Sequence, residues 1–124
     1  MIGLLVALAG GFGATARYVL DGFINSRRSG TYGYSNGIPV ATLTINVLGS
    51  FLLGILLGSA DALHADVVRI VGVGMLGGFT TFSTASVELV RLVRDERSVQ
   101  AAVLAIVMIV FSILAAVLGL AIAP

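Results

Sequence analysis

Apolar residues dominate four stretches of the 124-residue chain, at about 2–20, 39–60, 67–90 and 99–122. Each can cross a hydrocarbon core, which needs roughly 20 residues as a helix. The polar residues gather between them. The connection 21–38 is the longest and most polar and contains Arg27-Arg28-Ser29-Gly30; 61–66 reads as a short turn and 91–97 as a charged one. Part of 21–38 is expected to extend the first helix and part to be loop. Pro39 suits a helix's first turn, and Ser98 suits the N-cap of the last helix. The pattern predicts an all-α membrane protein, one domain over 1–124 with four transmembrane helices. The opening Met1-Ile2-Gly3-Leu4 has no basic lead and no clear cleavage site follows, so it reads as a retained span.

The third stretch carries an interruption of the pattern, Gly77-Gly78-Phe79-Thr80-Thr81-Phe82-Ser83-Thr84. Adjacent glycines weaken a helix, and Ser and Thr offer side-chain partners to a backbone leaving helical geometry. The expected reading is a third helix broken at membrane depth, which is tolerated only inside protein or along a watery cavity. A break also frees carbonyls and amides to bind ions. The alternative is a continuous helix using small residues for close packing. Small residues do recur at that spacing: Gly54 with Gly58, Gly74 with Gly78, and more loosely Ala9 with Gly13.

Within the spans, the polar residues are few. Thr42, Asn46 and Ser50 lie four residues apart and share one helix face with Gly49 beside them. Asn46 is either hydrogen-bonded glue between helices or part of a pathway; the track tilts it towards a pathway. Ser112 is the lone polar residue of the last span after Gln100, and matters only if it faces that track. Arg17 can snorkel to the interface or attract anions at a pore mouth. No carboxylate lies deep in a span: Glu88 is near the end of the third and Asp21 is past the first. A proton-coupled carrier needs such a group. The chain instead offers an amide, hydroxyls and phenylalanine ring edges, which are electropositive. Donors plus ring edges suit a small hydrated anion, and freed carbonyls suit a cation.

Composition agrees with the pattern. Hydrophobic residues make up 58 % and charged residues 10 %, against about 25 % charged in soluble domains. The net charge of +1 shows no nucleic-acid footprint. Without cysteine there is no disulfide or thiol chemistry. His64, the only histidine, reads as a solvated loop residue. No nucleophile–base set or metal cluster points to an enzyme.

Three ordered motifs now carry a resemblance. Gly10-Gly11-Phe12-Gly13-Ala14-Thr15-Ala16-Arg17-Tyr18, Thr42-Leu43-Thr44-Ile45-Asn46-Val47-Leu48-Gly49-Ser50-Phe51 and Gly77-Gly78-Phe79-Thr80-Thr81-Phe82-Ser83-Thr84 resemble GGxxGAxxRY, TLxxNxxGSF and GGxTTFST of the small bacterial fluoride channels, the Fluc or CrcB-type family. The resemblance covers nearly the whole chain. It implies an antiparallel, dual-topology dimer of four-helix subunits in the cell membrane, with two fluoride pores and passive export of toxic fluoride. By motif position it implies that Asn46 donates to fluoride and Phe82 presents a ring edge. Thr42 and Ser112 would belong to the polar track, with Ser83, Thr84 and Arg17 also on the fluoride pathway and Arg17 near a vestibule. The carbonyls of Gly77 and Thr80 would hold a structural sodium ion at the dimer interface. One departure is plain: the family pattern continues as TTFSTF, and Ala85 stands where the second phenylalanine belongs.

Two other functions remain in play. A small multidrug-type exchanger would need a carboxylate in the first span and an aromatic cage. A non-conducting partner of a heterodimeric channel is kept open by Ala85. The arginines bear on pairing. Arg27, Arg28, Arg91, Arg94 and Arg97 flank one side, with Arg17 near it, and only Arg69 the other: six against one, or five against one with Arg17 embedded. Such a bias favours one fixed orientation with both termini outside, hence an inverted paralogue as partner; equal insertion both ways as a homodimer is the alternative.

Overall fold

The computed structural model describes residues 1–27, 34–35 and 38–124. Arg28, Ser29 and Gly30 of the basic connection lie outside the described residues. Helix α1 runs Ile2–Ser26, past the apolar stretch that predicted it. Its last turns are tied by Asn25 donating to the Asp21 carboxylate at 3.1 Å. Two short strands, β1 (Tyr34–Ser35) and β2 (Ile38–Pro39), pair antiparallel with Tyr34 opposite Pro39. Helix α2 is Val40–Gly58. Pro39 therefore caps α2 from outside rather than opening its first turn. Its ψ of 76° is not helical, as expected of a residue still in a strand pair.

After a 3-10 turn at Ala60–Ala62, a third span covers Ala65–Arg94 in pieces. These are α3 (Ala65–Val68), a π-helical segment (Arg69–Leu76), α4 (Gly77–Phe79) and α5 (Phe82–Arg94). Between α4 and α5, Thr80 and Thr81 are extended, with φ/ψ of −74°/157° and −145°/116°. Helix α5 runs on to Arg94, so the charged turn is shorter than 91–97. Burial of Leu92 on the α5 face keeps those residues helical, and Glu96 turns the chain with φ 59°. Helix α6 is Ser98–Ile122. Ser98 is its first residue rather than its cap; Arg97 holds the cap position and no side chain bonds the first amides.

Four helical spans are thus long and apolar enough to cross a membrane. Helix α2 packs along α6, and α1 packs against the π segment and α4. Missing side chains set both approaches. A Cβ on Gly54 would meet the Ala116 carbonyl, and one on Gly119 the Phe51 carbonyl. A Cβ on Gly78 would meet Gly10 backbone, and one on Gly74 would come within 2.7 Å of the Val6 carbonyl. Backbones touch here because lipid supplies no hydrophobic drive, leaving close packing to hold helices together. Ala85, Leu92, Ala101, Leu104 and Met108 form a small core between α5 and α6. Large apolar side chains of α1 and α6, such as Leu8, Phe12, Ile106 and Leu114, stay exposed. That is an ordinary outer surface for helices solvated by acyl chains.

Candidate functional site

The interruption at Thr80 and Thr81 organises the polar residues. Leaving the helix exposes backbone groups that must find other partners. Thr80 keeps one helical bond, its N–H to the Leu76 carbonyl at 2.9 Å, and its hydroxyl donates to the same oxygen at 3.0 Å. Thr81 has no such option. In a continuous helix its N–H would bond the carbonyl four residues back, Gly77. It donates instead to Asn46 Oδ1 at 2.8 Å, while Asn46 Nδ2 donates to the Thr81 carbonyl at 3.0 Å. The Asn46 amide thus serves as a strand partner for one extended residue. Its orientation follows from those partners, since the flipped amide would face donor to donor. One Nδ2 hydrogen remains uncommitted. The Thr81 hydroxyl, meanwhile, caps α5 by accepting the Thr84 N–H at 3.1 Å and donates to Thr84 Oγ1 at 3.0 Å. The first amides of α5 carry the positive end of its dipole.

Thr81 separates two cavities. The larger, about 570 Å³, is lined by Asn46, Ser50, Gly77, Thr80, Thr81, Phe82 and Ser112 among apolar residues that include Ala85 and Met108. Its lining contains amide, hydroxyl and aromatic groups but no charged side chain. Phe82 is 88 % exposed in the single chain. The smaller, about 140 Å³, is lined by Arg17, Tyr18, Asp21, Thr42, Ile45, Thr81 and Thr84. The Arg17 Nε is buried there without a hydrogen-bond partner among the described residues.

The polar residues singled out in the sequence therefore separate into groups. Asn46, Phe82 and Ser112 come together, with Gly77 and Thr80 on the same wall. Thr42, Thr84 and Arg17 meet in the other chamber. The helical track on α2 divides between them: Ser50 joins Asn46, while Thr42 turns to the smaller side. Ser83 is exposed and lines neither. His64 is exposed in its turn, 4.0 Å from Asp66. Sequence reasoning overlooked Glu88. It is 9 % exposed, and its Oε1 accepts the Thr42 hydroxyl at 2.9 Å. The signal was available, because Glu88 follows Thr84 by four residues and Thr81 by seven, on one helix face.

The chain matches the family described as "CrcB-like protein, Camphor Resistance (CrcB)" over residues 4–120. It is 43 % identical over 122 residues to the fluoride-specific ion channel FluC 2 of Cutibacterium acnes, an alignment covering 96 % of this chain and 94 % of that one. To the fluoride-specific ion channel FluC of Renibacterium salmoninarum it is 41 % identical over 83 residues, 65 % of this chain and 66 % of the relative. To that of Shewanella halifaxensis it is 39 % identical over 80 residues, 63 % and 60 % of the two chains.

Proposed function

This chain belongs to the CrcB-like family, and on that footing we propose that it is a subunit of a fluoride-selective channel that exports fluoride passively across the cell membrane. The observation that carries this reading is the lining of the larger cavity. Asn46, Ser50, Thr80, Thr81 and Ser112 supply neutral polar groups there, Phe82 lies among them, and no carboxylate shares the wall. Fluoride is small and strongly hydrated. Giving up its water requires replacement donors, which the spare Asn46 hydrogen and the Ser112 hydroxyl can supply. The Phe82 ring edge adds positive potential without a hydrogen-bonding proton. No charge sits close enough along that wall to trap the ion, and conduction requires that it leave as readily as it enters.

The rest of the proposal follows from the interruption and the exposure around it. The third span crosses as two half-helices with the break near mid-membrane, which is tolerable because Asn46 satisfies Thr81. A cavity of about 570 Å³ is far wider than a dehydrated anion needs. With Phe82 bare beside it, that width fits a groove closed by a second, inverted subunit. The Gly77 carbonyl, relieved of the Thr81 amide, and the Thr80 carbonyl beyond it are neutral oxygen donors of the kind a sodium ion takes. Sodium bound by them would supply fixed positive charge at the break.

Ala85 supports a second reading, a non-conducting partner in a heterodimer, because it lines the cavity where the family pattern places a phenylalanine. Fluoride efflux from liposomes holding this chain alone, then together with a paralogue, tests both. A conducting subunit gives passive efflux alone. Efflux only with the paralogue assigns it the partner role. Efflux that requires an imposed proton gradient indicates an exchanger instead.

A further inference from the structure

Glu88 is an ionisable residue inside a span, and the anion path described above does not use it. Such residues are costly in membranes and point to function by default. Its burial is nearly complete, with Oε1 accepting from Thr42 and Oε2 buried without a partner among the described residues. The charged groups within its electrostatic reach are Asp21 on α1 and Arg91 on its own helix, and Arg91 is itself engaged.

The proton inventory of the smaller chamber gives this contact a consequence. A threonine hydroxyl has one proton. That of Thr42 goes to Glu88 and that of Thr81 to Thr84 Oγ1, so among the three threonines only Thr84 has an uncommitted proton. Thr42 offers the chamber its oxygen and methyl group, not a donor. The donors left for an anion are Arg17, Tyr18 and Thr84. Helix α2 is then tied to the third span twice, by Asn46 to Thr81 and, one turn earlier, by Thr42 to Glu88. Both tying residues' third-span partners flank Thr84. A chamber of about 140 Å³ holds only a few waters. A wall displaced by an ångström would change which donors an entering ion meets.

We propose that Glu88 is a positioning residue of the fluoride path: through Thr42 it fixes the α2 wall of the Arg17 chamber so that Arg17 and Thr84 face the anion together. The inference rests on the fluoride reading above. It concerns the shape and hydrogen bonding of the carboxyl group, which glutamine reproduces and leucine does not.

The test is a double-mutant cycle on fluoride efflux from liposomes, with size-exclusion elution like that of the unmodified protein required of each variant. Glu88→Leu should lower the rate on the order of tenfold, the scale of one lost buried hydrogen bond, and raise the fluoride concentration giving half-maximal flux. Thr42→Val should do the same. The double variant should be no worse than either single one, because both remove one contact. Glu88→Gln should restore the rate to within about threefold of the unmodified protein. Undiminished flux through Glu88→Leu, single-variant losses that multiply, or a glutamine variant as slow as the leucine one would each overturn the inference. If Glu88→Leu does not elute normally, Glu88→Met takes its place with the same outcomes. Absence of efflux from the unmodified protein, alone and with a paralogue, would instead bring down the underlying fluoride reading and this inference with it.

Discussion

Asn46 shows how one side chain can hold a structure and serve a pathway at once. Its amide oxygen and one N–H are committed to Thr81, and its second N–H remains for a ligand at the cavity wall. Asn46→Leu should therefore abolish fluoride efflux while leaving a folded, dimeric protein. It should also lower thermal stability, because each buried backbone group left without a partner costs about 1–3 kcal/mol. Undiminished flux through that variant would remove Asn46 from the path. A stability equal to that of the unmodified protein would show that the clamp on Thr81 is dispensable. At this scale the sequence was partly readable. An amide in the middle of an apolar helix announces itself, and so does the hydroxyl track beside it. What stayed hidden is which neighbour each polar atom meets. Thr42 and Asn46 share a helix face, yet one bonds Glu88 on α5 and the other an extended backbone, and no spacing within α2 encodes that division.

Among the elements, the four spans were legible because each is a long apolar run. The outcome at their ends was less so. Ser98 opens α6 instead of capping it, and Pro39 stays in a strand pair. Both are single-residue choices settled by the chain's entry path, which local propensity does not contain. The π-helical segment Arg69–Leu76 was not foreseen either. Its widened turns, in which the Gly77 N–H reaches the Gly72 carbonyl, carry no residue signature. They belong to a stretch packed hard against α1, and π segments are frequent at functional sites. The glycine spacings were correctly legible as packing. Gly78 presses on Gly10 so closely that a β-branched residue must push α1 and α4 apart. Gly78→Val should lower stability in detergent by about 1–3 kcal/mol, the usual cost of overpacking. Scanning fluorimetry checks this, and an unchanged melting temperature would mean that the α1–α4 contact does not support the fold.

For the whole molecule, the open matter is orientation and pairing. The connections after the first and third spans carry Arg27, Arg28, Arg91, Arg94 and Arg97, against Arg69 on the other side. Basic residues next to short loops favour the cytoplasm, so a fixed orientation with both termini outside is expected, and an inverted paralogue would complete an antiparallel pair. Cysteines introduced at residue 29 and at the C-terminus, probed in intact cells, should each label from one side only. Comparable labelling of each site from both sides would restore the dual-topology homodimer. A single chain's sequence could not decide this, because the groove beside Phe82 is completed by residues that the sequence of one subunit does not order in space.

The central claim is passive fluoride selectivity, and one measurement reaches it most directly. Liposomes containing the purified protein, loaded with potassium fluoride or potassium chloride and short-circuited with valinomycin, report anion efflux at matched internal and external pH. The account predicts rapid fluoride efflux with no imposed proton gradient and chloride release no faster than from protein-free vesicles, with the paralogue included if the chain conducts only in its company. Equal release of fluoride and chloride, or no fluoride release under either condition, would contradict it.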